Sequence, residues 1–226
     1  RHRAVAAVDI FKEVREMTDL ELAMLARHDK IDIAIHRNGH TRNSRTGIFA
    51  YRAAPIQINY LAYPGTVGAD FIDYIVADKR IIPDGSEDYF TEKIIYMPHT
   101  YQPTDNKRQV SAKNITRGDV GLPEKSFVFC CFNNNYKISM AEFDIWMRLL
   151  AQIKDSVLWL LKSNLLAEGN LKKAAVERGI APDRLVFAQK MPQPEHLARQ
   201  RLADLFLDTF NYNAHPTTSD ALWIGL

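Results

Sequence analysis

Cysteine is nearly absent from the 226-residue sequence: its two cysteines, Cys130 and Cys131, are neighbours inside one apolar run. Adjacent cysteines rarely bridge each other and no second pair exists. A disulfide framework and a cysteine-based zinc site are therefore excluded, and a reducing, cytoplasmic setting is expected. Long hydrophobic runs are missing as well. Stretches such as Val157–Leu161 fall far short of the roughly 20 residues that span a bilayer, so no membrane partner is expected. Arg1–Val8 carries basic residues but no extended apolar core, and it does not read as a signal peptide. An excess of one charge is lacking too: 29 Lys and Arg against 27 Asp and Glu leave +2. That balance argues against a nucleic-acid partner, which calls for a strongly basic face, and leaves room only for a local basic site. GxGxxG, Walker GK[ST], HExxH, a nucleophile elbow and a convincing acidic pair are all missing. A metal and a tightly held cofactor are therefore not expected.

What is present is globular: 46% hydrophobic and 25% charged residues, a length that suits one large domain or two small ones. In the second half strands alternate with helices. Phe127–Phe132, Ser156–Leu161, Arg184–Ala188 and Leu205–Leu207 read as strands. Between them, Ser139 and Glu142 form a capping box ahead of Met140–Leu150, Leu166–Arg178 runs to a C-capping Gly179, and Gln193–Arg201 is a short helix. Such alternation predicts a parallel sheet with helices on both faces. The first half is looser: a helix from Thr18 to about His28, then strands at Ile31–Ile35, Pro55–Leu61, Tyr74–Ala77 and Ile94–Met97. The polar stretch 105–120 separates the halves as a linker, giving units 1–104 and 121–226 with a cleft between them. Chain ends without Met and on an open helical pattern, Leu222, Trp223 and Leu226, lead us to expect both units to be incomplete.

The chemistry-bearing segments each follow a strand, where an α/β sheet presents its ligands. Asn133, Asn134 and Asn135 with Lys137 can surround an anion; the same residues also suit an asparagine-rich turn with a solvated lysine. His215-Pro216-Thr217-Thr218 opens a helix read as Ser219–Leu226 with Pro216 in its first turn. A helix start offers free N–H groups to an anion, and equally a well-capped surface helix. Asn38, Gly39, His40 and Thr41 combine a turn with a proton carrier or a merely solvated histidine. Tyr63-Pro64-Gly65-Thr66 permits close backbone approach. Met191, Gln193 and His196 could meet a base and a ribose, or simply enter a helix.

Together these segments resemble the catalytic region of the O-linked N-acetylglucosamine transferase family, glycosyltransferase family 41, from about Asp29 to Leu226. The bacterial tetratricopeptide-repeat and SPINDLY-like members are the most similar. The resemblance is carried by Asn38-Gly39-His40-Thr41, Ala54-Pro55-Ile56-Gln57, Tyr63-Pro64-Gly65-Thr66, Met97-Pro98, Phe132-Asn133 with Tyr136-Lys137, Ser156–Leu161, Glu195-His196, Leu207-Asp208-Thr209 and His215–Trp223.

The resemblance implies a GT-B fold, with two Rossmann-like domains facing a cleft. It implies an inverting, metal-independent transfer of N-acetylglucosamine from UDP-N-acetylglucosamine to Ser or Thr hydroxyls of a protein or peptide acceptor. Transfer of another sugar, transfer to Asn, and a non-catalytic UDP-binding fragment remain alternatives. Lys137 and His215 would be catalytic, Lys137 holding the diphosphate of the leaving UDP. Asn134, Met191, Gln193, His196, Thr217, Thr218 and Asp220 would complete the UDP-sugar site. Asn38, His40, Thr41, Tyr63, Pro64 and Gly65 would form a sugar and acceptor wall. Pro216 stands where the family has Thr, Ala62 where it has Gly, and His36-Arg37 replaces an acidic or apolar pair. The family's upstream His-Pro segment lies outside these residues, so the segment alone is expected to be inactive.

Overall fold

A computed structural model describes residues 5–226; the first four residues of the expected unit 1–104 lie outside it. The chain divides into two compact units, one ending at Pro103 and the other spanning Thr104–Leu226. Within the described residues no helix is long and apolar enough to cross a membrane.

Helix α1 (Asp19–His28) of the first unit is capped by Thr18, whose hydroxyl accepts from Glu21 N–H while the Glu21 carboxylate accepts from Thr18 N–H. This reciprocal box satisfies two otherwise orphaned donors, so the helix starts where the sequence places it. Strands β1 (Ile33–His36), β2 (Ile56–Asn59), β3 (Tyr74–Ala77) and β4 (Lys93–Tyr96) form a parallel sheet in the order β1-β2-β3-β4. A one-turn helix, α2 (Gly47–Ala50), lies between β1 and β2. Strand β1 begins at Ile33 rather than Ile31, because Asp29, Lys30 and Ile31 are spent ending α1: their N–H groups go to Leu25, Arg27 and Ala26.

The second unit holds β5 (Phe127–Cys131), β6 (Ser156–Leu161), β7 (Leu185–Ala188) and β8 (Leu205–Phe206), all parallel, in the order β7-β6-β5-β8. Strands β5 and β6 are buried along nearly their whole length, which explains their unbroken apolar sequence: each covers a core on both faces. On one face Phe129, Cys131, Leu158 and Leu160 pack on Phe143, Trp146, Met147 and Leu150 of α3 (Met140–Gln152) and Ala175 of α4 (Leu165–Val176). On the other, Val128, Cys130 and Trp159 pack with Leu122 and Ala203. Gly179, at φ +74°, carries the chain out after α4. Both cysteines are free thiols, with burial pushing Cys130 up and Cys131 up to about 12.

Two expectations are corrected. The last helix, α6, spans Pro216–Trp223, not Ser219–Leu226: proline occupies its first turn, and Gly225 at φ +85° follows its end. Leu226 packs on the core around Val128 and the Arg108 guanidinium lies 4.9 Å from the centroid of the Trp223 ring, while Leu222 stays 69% exposed. The capping box of α3 is not formed as expected: the Ser139 hydroxyl donates to the Glu142 carboxylate instead of accepting from a helix N–H, and that carboxylate also accepts from Phe210 N–H.

Candidate functional site

The order β7-β6-β5-β8 fixes where a ligand can enter. From β5 the chain adds β6 and then β7 to one side, and returns with β8 on the other side of β5. The crevice at such a reversal, beyond the carboxyl ends of the strands, is the ligand position of open α/β sheets. Two loops emerge there: Phe132–Ile138 after β5, and Leu207–His215 after β8.

These loops are bound to each other by named contacts. Asn133, buried at the end of β5, donates from Nδ2 to Asp208 Oδ1 and Thr209 Oγ1, both at 3.0 Å. The same Asp208 oxygen accepts from Thr209 N–H (2.7 Å) and Ala214 N–H (2.8 Å). Asp208 therefore closes the loop after β8 into a ring and locks it to β5. Lys137 ends a 3₁₀ turn over Asn135–Lys137. Its ammonium donates to the Asn213 carbonyl at 3.2 Å and sits 3.8 Å above the Tyr212 ring. Burial holds the Lys137 ammonium below the usual lysine range, opposed by the charge of Asp208. His215 precedes α6 and is shifted down, first by burial, then by the positive charge of Lys137, with Asp208 opposing. An uncharged imidazole thus stands beside an ammonium at a helix start.

The α6 N-terminus lacks one donor and supplies another. Pro216 has no N–H, and the buried Thr218 hydroxyl oxygen has no hydrogen-bond partner among the described residues. An orphaned buried hydroxyl at a helix start matches a ligand oxygen better than it matches a packed core. Asn134 is exposed and gives its carbonyl to Lys137 N–H. Neither amide atom of Asn135 has a partner, although both are buried. Asn135 was part of the sequence motif but not singled out within it; three consecutive amides gave no sign of which one turns inward.

His196 lies on α5 (Gln193–Gln200) with its ring 5.0 Å from that of Phe132, edge to face. Arg199 Nε–H donates to His196 Nδ1 at 3.1 Å. The neutral ring therefore carries its proton on Nε2, the atom left to donate to a ligand. Burial, with the Arg199 charge, drives this histidine down to about 4. Arg199 itself is 2% exposed, donates to the Gln189 carbonyl at 2.6 Å and stacks against Phe132 and Trp159. Met191 is half-buried and Gln193 exposed, at the entry to α5. Asp220 pairs with Arg108 and also meets Gln193; burial raises its carboxyl, and Arg108 and Gln193 partly counter that. Arg108 escaped the sequence reading because it sits in the stretch read as a linker. Thr217 is half-buried in the first turn of α6.

The other candidate residues belong to the first unit, where β1 and β2 end. Gly39 has φ +47°, and a Cβ there would meet the Tyr63 side chain at 2.5 Å. Gly65 also faces the Tyr63 ring, at 3.0 Å from a notional Cβ. Thr41 closes the turn onto the Asn38 carbonyl through its hydroxyl (2.7 Å) and its N–H (2.9 Å). His40 Nε2 donates to the Val67 carbonyl at 2.9 Å, which leaves Nδ1 as the basic nitrogen of an exposed ring standing edge-on to Tyr63. Asn59 joins the segment from below, its amide donating to the carbonyls of Tyr63 and Gly65, so Pro64 is held between two tethered neighbours. Asn38, His40, Thr41, Tyr63, Pro64 and Gly65 thus form one local cluster. Among the described residues no group of three or more His, Cys, Asp or Glu could hold a metal ion.

Comparison with known proteins fits this arrangement. The chain matches the family described as Glycosyl transferase family 41 over residues 1–115 and 106–226. It is 37% identical, over its full length, to an Arabidopsis thaliana protein named "Probable UDP-N-acetylglucosamine--peptide N-acetylglucosaminyltransferase SEC", covering 24% of that protein. It is 28% identical over 87% of its length to the Caenorhabditis elegans UDP-N-acetylglucosamine--peptide N-acetylglucosaminyltransferase, covering 27% of it. The chain thus spans about a quarter of the length of these curated relatives. Its fold superimposes over its full length on a lysine-to-methionine mutant of the Thermobaculum terrenum O-GlcNAc transferase, with a TM-score of 0.87 and 30% identity, covering 42% of that chain.

Proposed function

This chain belongs to glycosyl transferase family 41 and has its GT-B type of α/β fold, and we propose that it forms part of an enzyme that moves N-acetylglucosamine from UDP-N-acetylglucosamine to Ser or Thr hydroxyls of proteins. The observation that carries the reading is the position of Lys137. Its partly desolvated ammonium stands beside His215 and the start of α6, at the chain reversal of a parallel sheet.

In the proposed reaction the acceptor oxygen attacks the anomeric carbon on the face opposite UDP. The bond from that carbon to the β-phosphate oxygen breaks, and its electron pair leaves with UDP. Inversion follows from the single displacement. The charge that develops on the β-phosphate is met by Lys137, by N–H groups at the start of α6 and by the Thr218 hydroxyl. Preorganised donors of this kind lower a barrier without a metal ion. Neutral His215 and the Nε2–H of His196 are set to donate to phosphate or ribose oxygens. Asn134, Met191, Gln193, Thr217 and Asp220 would line the nucleotide and sugar. The cluster around His40 and Tyr63 would meet the sugar and the acceptor, His40 offering Nδ1 as a proton acceptor. Buried free thiols support a reducing, cytoplasmic setting.

The test is transfer of radiolabelled N-acetylglucosamine from its UDP donor to Ser/Thr peptides by the full-length protein. Lys137→Ala should lower the rate about 100-fold, or about 3 kcal/mol, as for other preorganised donors. Transfer by Lys137→Ala at the wild-type rate would remove the mechanistic part of the proposal. Release of GDP rather than UDP in a donor screen would replace the donor.

A further inference from the structure

Glu142 is wholly buried, and its partners are hydrogen-bond donors, from a distant loop and from the start of its own helix, rather than a cation. Oε1 accepts from Phe210 N–H at 2.7 Å and lies 3.4 Å from Asn211 N; Oε2 receives the Ser139 hydroxyl. A carboxylate suits the first turn of a helix, and burying one there is costly unless its remaining lone pairs are met from elsewhere. Alanine propagates a helix better, and an apolar side chain avoids the cost of removing an anion from water. Burial pushes the Glu142 carboxyl up, but the N–H groups around it outweigh that, and the net shift is downward. The acid is therefore held as an anion jointly by the segment it grips and by the N–H groups at the start of α3.

That segment is the loop between β8 and α6. Asp208 ties its two ends together through Thr209 and Ala214. Glu142 grips it midway, at Phe210 and Asn211. The next two residues carry both contacts made by the Lys137 ammonium: the Tyr212 ring and the Asn213 carbonyl. The Phe210 side chain is 65% exposed and Tyr212 48% exposed, so side-chain packing holds this stretch weakly and hydrogen bonds take its place: those to Glu142, and the Thr209 hydroxyl donating to the Tyr212 carbonyl at 2.8 Å.

We propose that Glu142 is a positioning residue: by fixing the Phe210–Asn213 loop it keeps the Lys137 ammonium at the start of α6, where the diphosphate of a UDP-sugar arrives. The inference rests on the donor-binding reading of Lys137. Glu142 touches no ligand and acts through the loop and the lysine.

A double-mutant cycle on UDP affinity in the full-length protein tests it. Isothermal titration with UDP is run on the wild type, Glu142→Ala, Lys137→Ala and the double variant. Glu142→Ala should weaken UDP about tenfold or more, the scale of a lost hydrogen bond to a charged group. Glu142→Gln, which keeps an acceptor for Phe210 N–H and a partner for Ser139, should restore most of the affinity. The double variant should bind no more weakly than Lys137→Ala alone, because residues acting through one another are not additive. A residue that only stabilises the fold would lower the melting temperature and leave UDP affinity in the folded protein unchanged, or add its effect to that of Lys137→Ala; either result overturns the proposal. If Glu142→Ala does not fold, Glu142→Asp, whose carboxylate falls one methylene short of Phe210 N–H, carries the same cycle. Wild-type protein that binds no UDP would overturn the donor-binding reading and this inference with it. Wild-type binding with additive variants would overturn the inference alone.

Discussion

Arg108 and Asp220 form an ion pair in which the two side chains are 7% and 16% exposed. The arginine comes from the polar stretch that reads as a linker, and the aspartate from α6, beside the proposed phosphate site. Arg108 also covers the Trp223 ring, and its Nη2 lies 3.4 Å from the Ser219 carbonyl. This stretch, inside the second unit, is therefore fastened to the helix that would receive the donor.

Removing one member of a buried pair leaves the other charge unpaired, at a cost of about 3 kcal/mol. Arg108→Met should therefore lower the melting temperature of the full-length protein and weaken UDP binding, whereas the Arg108→Met/Asp220→Asn double variant should recover part of the stability. Arg108→Met that melts and binds UDP as the wild type does would show that the pair holds nothing in place. Asp220→Asn alone leaves the guanidinium buried without its carboxylate, and should cost stability on a similar scale.

The sequence made the second sheet easy to read, because β5 and β6 are covered on both faces and so carry continuous apolar runs. The starts of α1 and α3 were equally plain from Thr18 and Ser139. What the sequence hid lies in long-range pairing. Glu142 has the spacing of a capping residue, but its carboxylate answers N–H groups 68 and 69 positions further on. Arg108 has no apolar neighbours in sequence, yet it is buried by a partner 112 positions away. No local periodicity encodes such contacts. The site loops were legible because strand ends are where an α/β sheet binds, while the division of roles within Asn133, Asn134 and Asn135 was not: only the first reaches across to Asp208.

His196 predicts a pH dependence. Its folded-state value is about 4, against 6.5 for the free side chain. A base depressed by folding is protonated first in the unfolded chain, so its contribution to stability is complete above pH 6.5 and disappears as the pH falls toward 4. The loss over that window is about 3 kcal/mol. His36 and His215 shift in the same direction, so His196→Gln should flatten the decline without abolishing it. Urea unfolding of wild type and variant at pH 7, 5.5 and 4.5 measures this, and parallel declines would contradict it.

Two glycines predict opposite signs. Gly39→Ala places a Cβ 2.5 Å from the Tyr63 side chain at φ +47°, so it should cost about 2 kcal/mol or more and displace His40 and Tyr63. The full-length protein should then lose the proposed transfer activity while keeping UDP affinity, since Gly39 belongs to the first unit and the proposed phosphate site to the second. Gly169→Ala, inside α4 with nothing within 4 Å of a new Cβ, should stabilise by about 1 kcal/mol. Thermal melts and UDP titrations of both variants decide the matter; equal destabilisation by the two would refute the assignment of Gly39 to a strained turn.

Pro216 sets the last test, because it suits the helix and deprives the proposed ligand. As the first residue of α6 it is preorganised for the helix and lacks an N–H that would otherwise go unpaired. For an arriving phosphate that same N–H, and the hydroxyl of the threonine usual in the family, are lost donors. Pro216→Thr should therefore move two observables in opposite directions. The melting temperature should fall slightly, as the unfolded chain regains freedom. UDP should bind more tightly, by up to about tenfold, the scale of a new hydrogen bond to a charged group. Pro216→Ala, which restores the N–H without the hydroxyl, should fall between. Titration of UDP into the three full-length proteins separates the cases: equal affinity throughout would mean that the start of α6 does not meet the diphosphate, and the phosphate site would have to be sought nearer Lys137 alone.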